Sequence, residues 1–116
     1  MTAIDIPEYV TRAKSLTDIT RTATDLLEHA ADCGLPAPDT ARLSRFGQEV
    51  SLGFPGHRDT FHTLAQWAER FGGTVTGEPY TRDDGSESVY CQVKFPYQGI
   101  AVEAYAFITA DEISPA

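Results

Sequence analysis

The chain has 116 residues, 41% of them apolar and 22% charged, with a formal net charge of −8. That length is enough for one domain, residues 1–116, which buries roughly two thirds of its unfolded surface without disulfides or a structural metal. The charge argues against direct nucleic-acid binding, because that affinity comes mainly from Lys and Arg displacing counterions and no basic run is present. No stretch approaches the ~20 apolar residues that cross a bilayer, and residues 1–5 lack the basic start of a secretory leader, so no membrane contact and a cytoplasmic location are expected.

In chain order, residues 1–14 are an N-terminal segment in which Pro7-Glu8-Tyr9-Val10 opens a short helix, proline being tolerated in a first turn. A longer helix is predicted from Ser15, where Ser15-Leu16-Thr17-Asp18 offers a cap, to Gly34 followed by Pro36. Its apolar stripe is Leu16, Ile19, Ala23, Leu26, Ala30 and Cys33, widened by Leu27 and Ala31. The same spacing fits a short coiled-coil seam, but alanine at two seam positions favours packing on a sheet. Leu35 to Asp39 read as a rigid connector. A first strand follows, with Phe46, Gln48, Val50, Leu52 and Phe54 alternating against Arg45, Gly47, Glu49, Ser51 and Gly53.

Pro55-Gly56 ends that strand, and Asp59 caps a second helix in which Phe61, Leu64, Ala65, Ala68 and Phe71 share a face, with Trp67 at its edge. Residues 75–81 form the next strand. Asp83-Asp84-Gly85 then turns it back, and placing Arg82 opposite Ser86 sets Val75 across from Val93. The last two strands face each other across Pro96-Tyr97-Gln98-Gly99. With Phe95 opposite Ile100, the core-side pairs are Val93 with Val102, Cys91 with Ala104 and Val89 with Ala106. The other face then pairs Lys94 with Ala101, Gln92 with Glu103, Tyr90 with Tyr105 and Ser88 with Phe107. Residues 111–116 are expected to form a flexible tail.

The expected fold is α+β, a two-layer sandwich with two helices on one face of a four-stranded mixed sheet, in the order helix, strand, helix, strand, strand, strand. The first strand fits beside either residues 75–81 or the last strand, parallel in both cases. Cys33 and Cys91 form no Cys-x-x-Cys pair and read as buried thiols. His57, Asp59 and His62 gather at the start of the second helix, but residues i and i+5 do not share a helix face as the i and i+4 histidines of a zincin do. His29 reads as a surface residue. No nucleophile elbow or phosphate loop is present, and Gly53-Phe54-Pro55-Gly56 reads as a tight turn.

What remains unexplained is the outer face of the last three strands, where Tyr80, Tyr90, Gln92, Glu103, Tyr105 and Phe107 are expected together. A plainly solvated face carries fewer rings. They are covered by residues 7–14, or bury against a second copy or a protein partner, or line a ligand groove.

Two resemblances bear on these residues. The string Gln48-Glu49-Val50-Ser51-Leu52-Gly53-Phe54, the helix ending Trp67-Ala68-Glu69-Arg70-Phe71-Gly72-Gly73, and the strand Ile100-Ala101-Val102-Glu103-Ala104-Tyr105 together resemble one βαβββ module of the vicinal oxygen chelate superfamily, which contains glyoxalases and bleomycin-resistance proteins. That likeness implies metal ligands on the sheet face away from the helices. Glu103 matches the carboxylate of the last strand and Glu49 its partner, with a dimer supplying the second module. In composition, the acidic chain rich in Thr, Ala, Asp and Gly resembles accessory proteins of actinobacterial phages and mobile elements. No cofactor is expected. The expectation taken forward is a non-catalytic protein-binding or homodimeric module; a chelate-type dimer is the alternative, and an acidic nucleic-acid mimic is a third.

Overall fold

The computed structural model describes residues 6–44, 48–56 and 59–109, with side chains described from residue 15 onward. Its elements are α1 (Ile6–Asp32), β1 (Thr40–Ser44), β2 (Glu49–Gly53), α2 (Asp59–Phe71), β3 (Thr76–Thr81), β4 (Glu87–Tyr97) and β5 (Ile100–Thr109). The class is α+β, but the sheet has five strands in the order β1-β2-β5-β4-β3 rather than four. The added strand is β1, antiparallel to β2, in the stretch just after the Pro36–Pro38 connector. Its apolar alternation is only Ala41 and Leu43, too weak a signal next to two prolines. Gln48, expected within the strand, is an exposed turn residue with φ 49°, while Phe46 lies outside the described residues.

Helix α1 runs unbroken from Ile6, so Ser15 is an interior residue and the short helix expected at residues 7–10 is its first part. The stop is where the glycine placed it. Gly34 takes φ 77°, its N–H donates to Ala31 O (3.0 Å), and Leu35 N–H donates to Ala30 O (2.9 Å), a Schellman closure. Ile19, Ala23, Leu26 and Ala30 are buried, but Leu16 is 41% exposed and Cys33 is exposed, contrary to expectation. At 27 residues the helix is ~40 Å long, whereas β1 and β2, the strands it packs on, have five residues each, ~17 Å, so the ends of its stripe have less to pack on.

Helix α2 is rotated relative to the sequence reading. Thr60, Leu64 and Trp67 are its buried residues, whereas Phe61 is 42% exposed and Ala65 is exposed. Trp67 sits at the centre of the core instead of its edge, with no exposed surface, and its ring lies 5.6 Å from Phe54 and 5.4 Å from Phe71. Its indole N–H donates to Pro36 O at 3.1 Å, tying α2 to the connector. Phe71 in turn stacks on Phe95 at 5.1 Å.

β2 runs parallel to β5, which settles the position that the sequence left open. The β3–β4 register is as read, with Thr76, Glu78 and Tyr80 opposite Gln92, Tyr90 and Ser88, and Arg82 N–H donates to Ser86 O. The β4–β5 register is displaced by two residues: Tyr97 faces Ile100, Phe95 faces Val102, Val93 faces Ala104, Cys91 faces Ala106 and Val89 faces Ile108. The turn is the two-residue Gln98-Gly99, with φ 48° and 84°, the left-handed pair that matches strand twist. Pro96 therefore stays in the strand opposite Ala101. A shift of two preserves the side-chain parity, so every residue keeps its expected face.

One core joins both helices to one face of the sheet: Ile19, Leu26, Leu64 and Trp67 meet Val50, Leu52, Val93, Phe95, Val102 and Ile108. α1 packs against β1 and β2, and α2 against β4 and β5. No helix among the described residues is long and apolar enough to cross a membrane.

Candidate functional site: the outer face of the sheet

Pairing fixes what stands on the face opposite the helices. One row across the sheet is Arg42, Ser51, Glu103 and Lys94; the next is Thr40, Gly53, Tyr105, Gln92 and Thr76; beyond them come Phe107, Tyr90 and Glu78, then Thr109, Ser88 and Tyr80. All six residues expected on this face are there. The displaced register changes their neighbours, however: Tyr90 faces Phe107 rather than Tyr105, and Glu103 faces Lys94 rather than Gln92.

The rings form one cluster. Tyr90 lies 4.9 Å from Phe107 and 5.9 Å from Tyr105, and Tyr80 lies 5.1 Å from Phe107. Offset and tilted pairs at these distances each contribute ~0.5–1.5 kcal/mol beyond area burial. Tyr90 and Tyr105 are half-buried by their neighbours, whereas Tyr80 and Phe107 remain 46% and 37% exposed. Among the described residues, the hydrogen bonds, ion pairs and ring contacts of these side chains are made within the same sheet.

Gly53 is a positioning residue that sequence reading passed over as part of a turn. A Cβ there would stand 2.5 Å from Thr40 Oγ1 and 3.1 Å from Tyr105 Oη, so the missing side chain is what lets the Tyr105 phenol reach across β2. A glycine at an outward position of a predicted strand was the available signal, while its pairing with Tyr105 came only from the folded sheet.

Beside the rings the chemistry turns polar. Tyr90 Oη donates to Glu103 Oε1, and Lys94 Nζ lies 4.0 Å from Glu103 Oε2. Burial first, and then the Glu103 carboxylate, push the Tyr90 phenol well above its ordinary value, so it stays a neutral donor at physiological pH. Glu49, Ser51, Lys94, Pro96, Ala101 and Glu103 border an open concavity of ≈ 590 Å³. Glu49 faces Ala101 and Glu103 faces Ser51, which leaves the two carboxylates diagonal on neighbouring strands. No group of three or more His, Cys, Asp or Glu placed to hold a metal occurs among the described residues.

The remaining sequence candidates lie elsewhere. Asp59 and His62 are exposed on α2, and His57 falls outside the described residues. His29 is half-buried rather than a free surface residue, in a clamp the sequence did not disclose. Arg70 donates to its Nε2 (2.7 Å), while Tyr97 Oη, 3.5 Å from its Nδ1, donates to Asp25 Oδ2 (2.6 Å). Gln98 also donates to Asp25, at 2.9 Å. These bonds join α1, α2 and the β4–β5 turn, and the hydrogen bond to Asp25 pushes the Tyr97 phenol up to about 12. Their role is structural, since they link elements across the end of the core.

No family model, curated protein or solved structure gives a match to this chain.

Proposed function

We propose that this chain is a small acidic, non-catalytic protein-binding module of the cytoplasm, with the outer sheet face as its recognition surface. The observation that carries the reading is the contiguous four-ring cluster on the face that the helices leave uncovered, with Tyr80 and Phe107 still substantially exposed. Aromatic anchors flanked by charged groups are the composition of interface centres, and an exposed patch of this kind marks association more often than solvation. Light scattering and partner pull-down with Tyr105→Ala and Phe107→Asp test it. Loss of association with retained thermal melting is the expected result, and unchanged association in both variants sinks the reading.

A second reading, a ligand- or metal-binding dimer of the vicinal oxygen chelate type, is supported by the order β2, α2, β3, β4, β5 and by Glu49 and Glu103 bordering one concavity. Glu103 already serves Tyr90 and Lys94, and hard divalent ions generally take six or more oxygen ligands, so the first reading is preferred. Thermal melting with added Ni²⁺, Zn²⁺ or Mn²⁺ separates them: a raised midpoint abolished by Glu103→Gln favours the chelate, and an unmoved midpoint counts against it.

A further inference from the structure

We propose that the occupant of the outer face is a second copy of this chain, packed sheet against sheet about a two-fold axis that runs along the β4–β5 hairpin. This rests on the recognition surface proposed above and commits it to one partner.

Three observations converge on it. The first is charge. Glu103 and Lys94 stand opposite one another on β5 and β4, flanking the midline of the hairpin. A two-fold axis along that midline exchanges β4 with β5 between copies, so Lys94 of each copy lies over Glu103 of the other. The same operation sets Tyr90 over the other copy's Phe107. Isologous packing demands this kind of self-complementarity, in which a patch supplies its own opposite charge. Any other partner would have to bring a matching pair of its own. Lys94 can reach across the interface, its side chain being 69% exposed and paired with its own Glu103 only at the long distance of 4.0 Å.

The second is area. At ~3.3 Å per residue and ~4.8 Å between strands, the 11 residues of β4 and 10 of β5, which this axis lays over the other copy's β5 and β4, present roughly 330 Å² of flat face, the centre of an interface whose full extent is ~800 Å² per partner. The third is composition. Rings near the axis with a charged pair beside them reproduce an apolar centre and a polar flank, and face-to-face sheets pack ~10 Å apart with strands within ~30°.

The decisive experiment uses the full chain and two single variants, Lys94→Glu and Glu103→Lys, measured by light scattering and analytical ultracentrifugation at low and physiological salt. Wild type is expected to be a dimer. Each variant places like charges over one another twice per dimer and is expected to weaken self-association about tenfold or more. An equimolar mixture of the two restores a heterodimer, because both positions are acidic in the Lys94→Glu chain and both are basic in the Glu103→Lys chain, so each crossing pairs opposite charges again. Thermal melting of each variant separates lost association from lost folding, and recovery on mixing is itself evidence that both are folded. A monomeric wild type at about 100 μM, variants that dimerise as tightly as wild type, or a mixture that stays monomeric each overturns the second-copy proposal. The broader recognition-surface reading fails separately, when neither Tyr105→Ala nor Phe107→Asp alters any association.

Discussion

Replacing Trp67 with Phe probes the core where the structure departs most from the helical stripe. The indole has no exposed surface and donates a hydrogen bond to Pro36 O. Phe keeps the aromatic contacts with Phe54 and Phe71 but removes that donor and leaves a small void. The lost hydrogen bond costs about 0.5–1.5 kcal/mol net, and the smaller ring about 1–2 kcal/mol through lost transfer and cavity energy. The sum, about 1.5–3.5 kcal/mol, is a large fraction of the ~5–15 kcal/mol that stabilises an ordinary domain. With an m-value of ~1.5 kcal/mol/M, the urea midpoint should fall by ~1–2.3 M. The measurement needs far-UV circular dichroism, because the variant removes the only Trp in the chain. In wild type the same indole should be shielded from acrylamide until unfolding. A Trp67→Phe midpoint within ~0.3 M of wild type, together with ready quenching in the folded state, would refute the central placement.

Other expectations can be checked with the same methods. A Cβ at Gly56 would stand 2.2 Å from Phe107 O, a backbone atom that cannot rotate away, so Gly56→Ala should cost at least ~1–3 kcal/mol by overpacking and disturb the ring cluster through Phe107. Gly53→Ala should also destabilise, but less in a Tyr105→Ala background, since part of its clash is with that phenol; equal costs in both backgrounds would show that the ring does not lie over β2. The Tyr97 phenol is raised from 10.0 to about 12 by its hydrogen bond to Asp25, so the neutral form is the one stabilised by folding. Its contribution is complete below about pH 10 and is lost as pH rises toward about 12. The stability difference between wild type and Tyr97→Phe, followed by urea melts, should therefore shrink over that interval; a difference that stays constant would detach it from phenol ionisation.

Much of this protein was determined locally and so was legible in the chain. Alternation with a period of two keeps each described residue of β4 and β5 on its face under a shift of two, which is why Tyr90, Gln92, Glu103, Tyr105 and Phe107 were gathered on one surface although their expected pairing was displaced, and the Arg82–Ser86 turn added Tyr80. Gly34 and Asp83-Asp84-Gly85 marked a helix stop and a hairpin because left-handed backbone and tight turns select particular residues. Register across Gln98-Gly99 was not local in that sense. Pro96 suggested a wide turn, and only cross-strand pairing over the length of β4 and β5 placed it in the strand. The rotation of α2 was also collective. Phe61 and Ala65 satisfy a helical stripe as well as Trp67 does, and the volume left between Phe54, Phe95 and Pro36 O selects the indole. β1 needed β2 as a template, since five residues with one large apolar side chain carry little strand signal alone. The site followed the same division: alternation named its residues, while the partners of Glu103 and the passage of Tyr105 over Gly53 came from strand neighbours that only the folded sheet brings together.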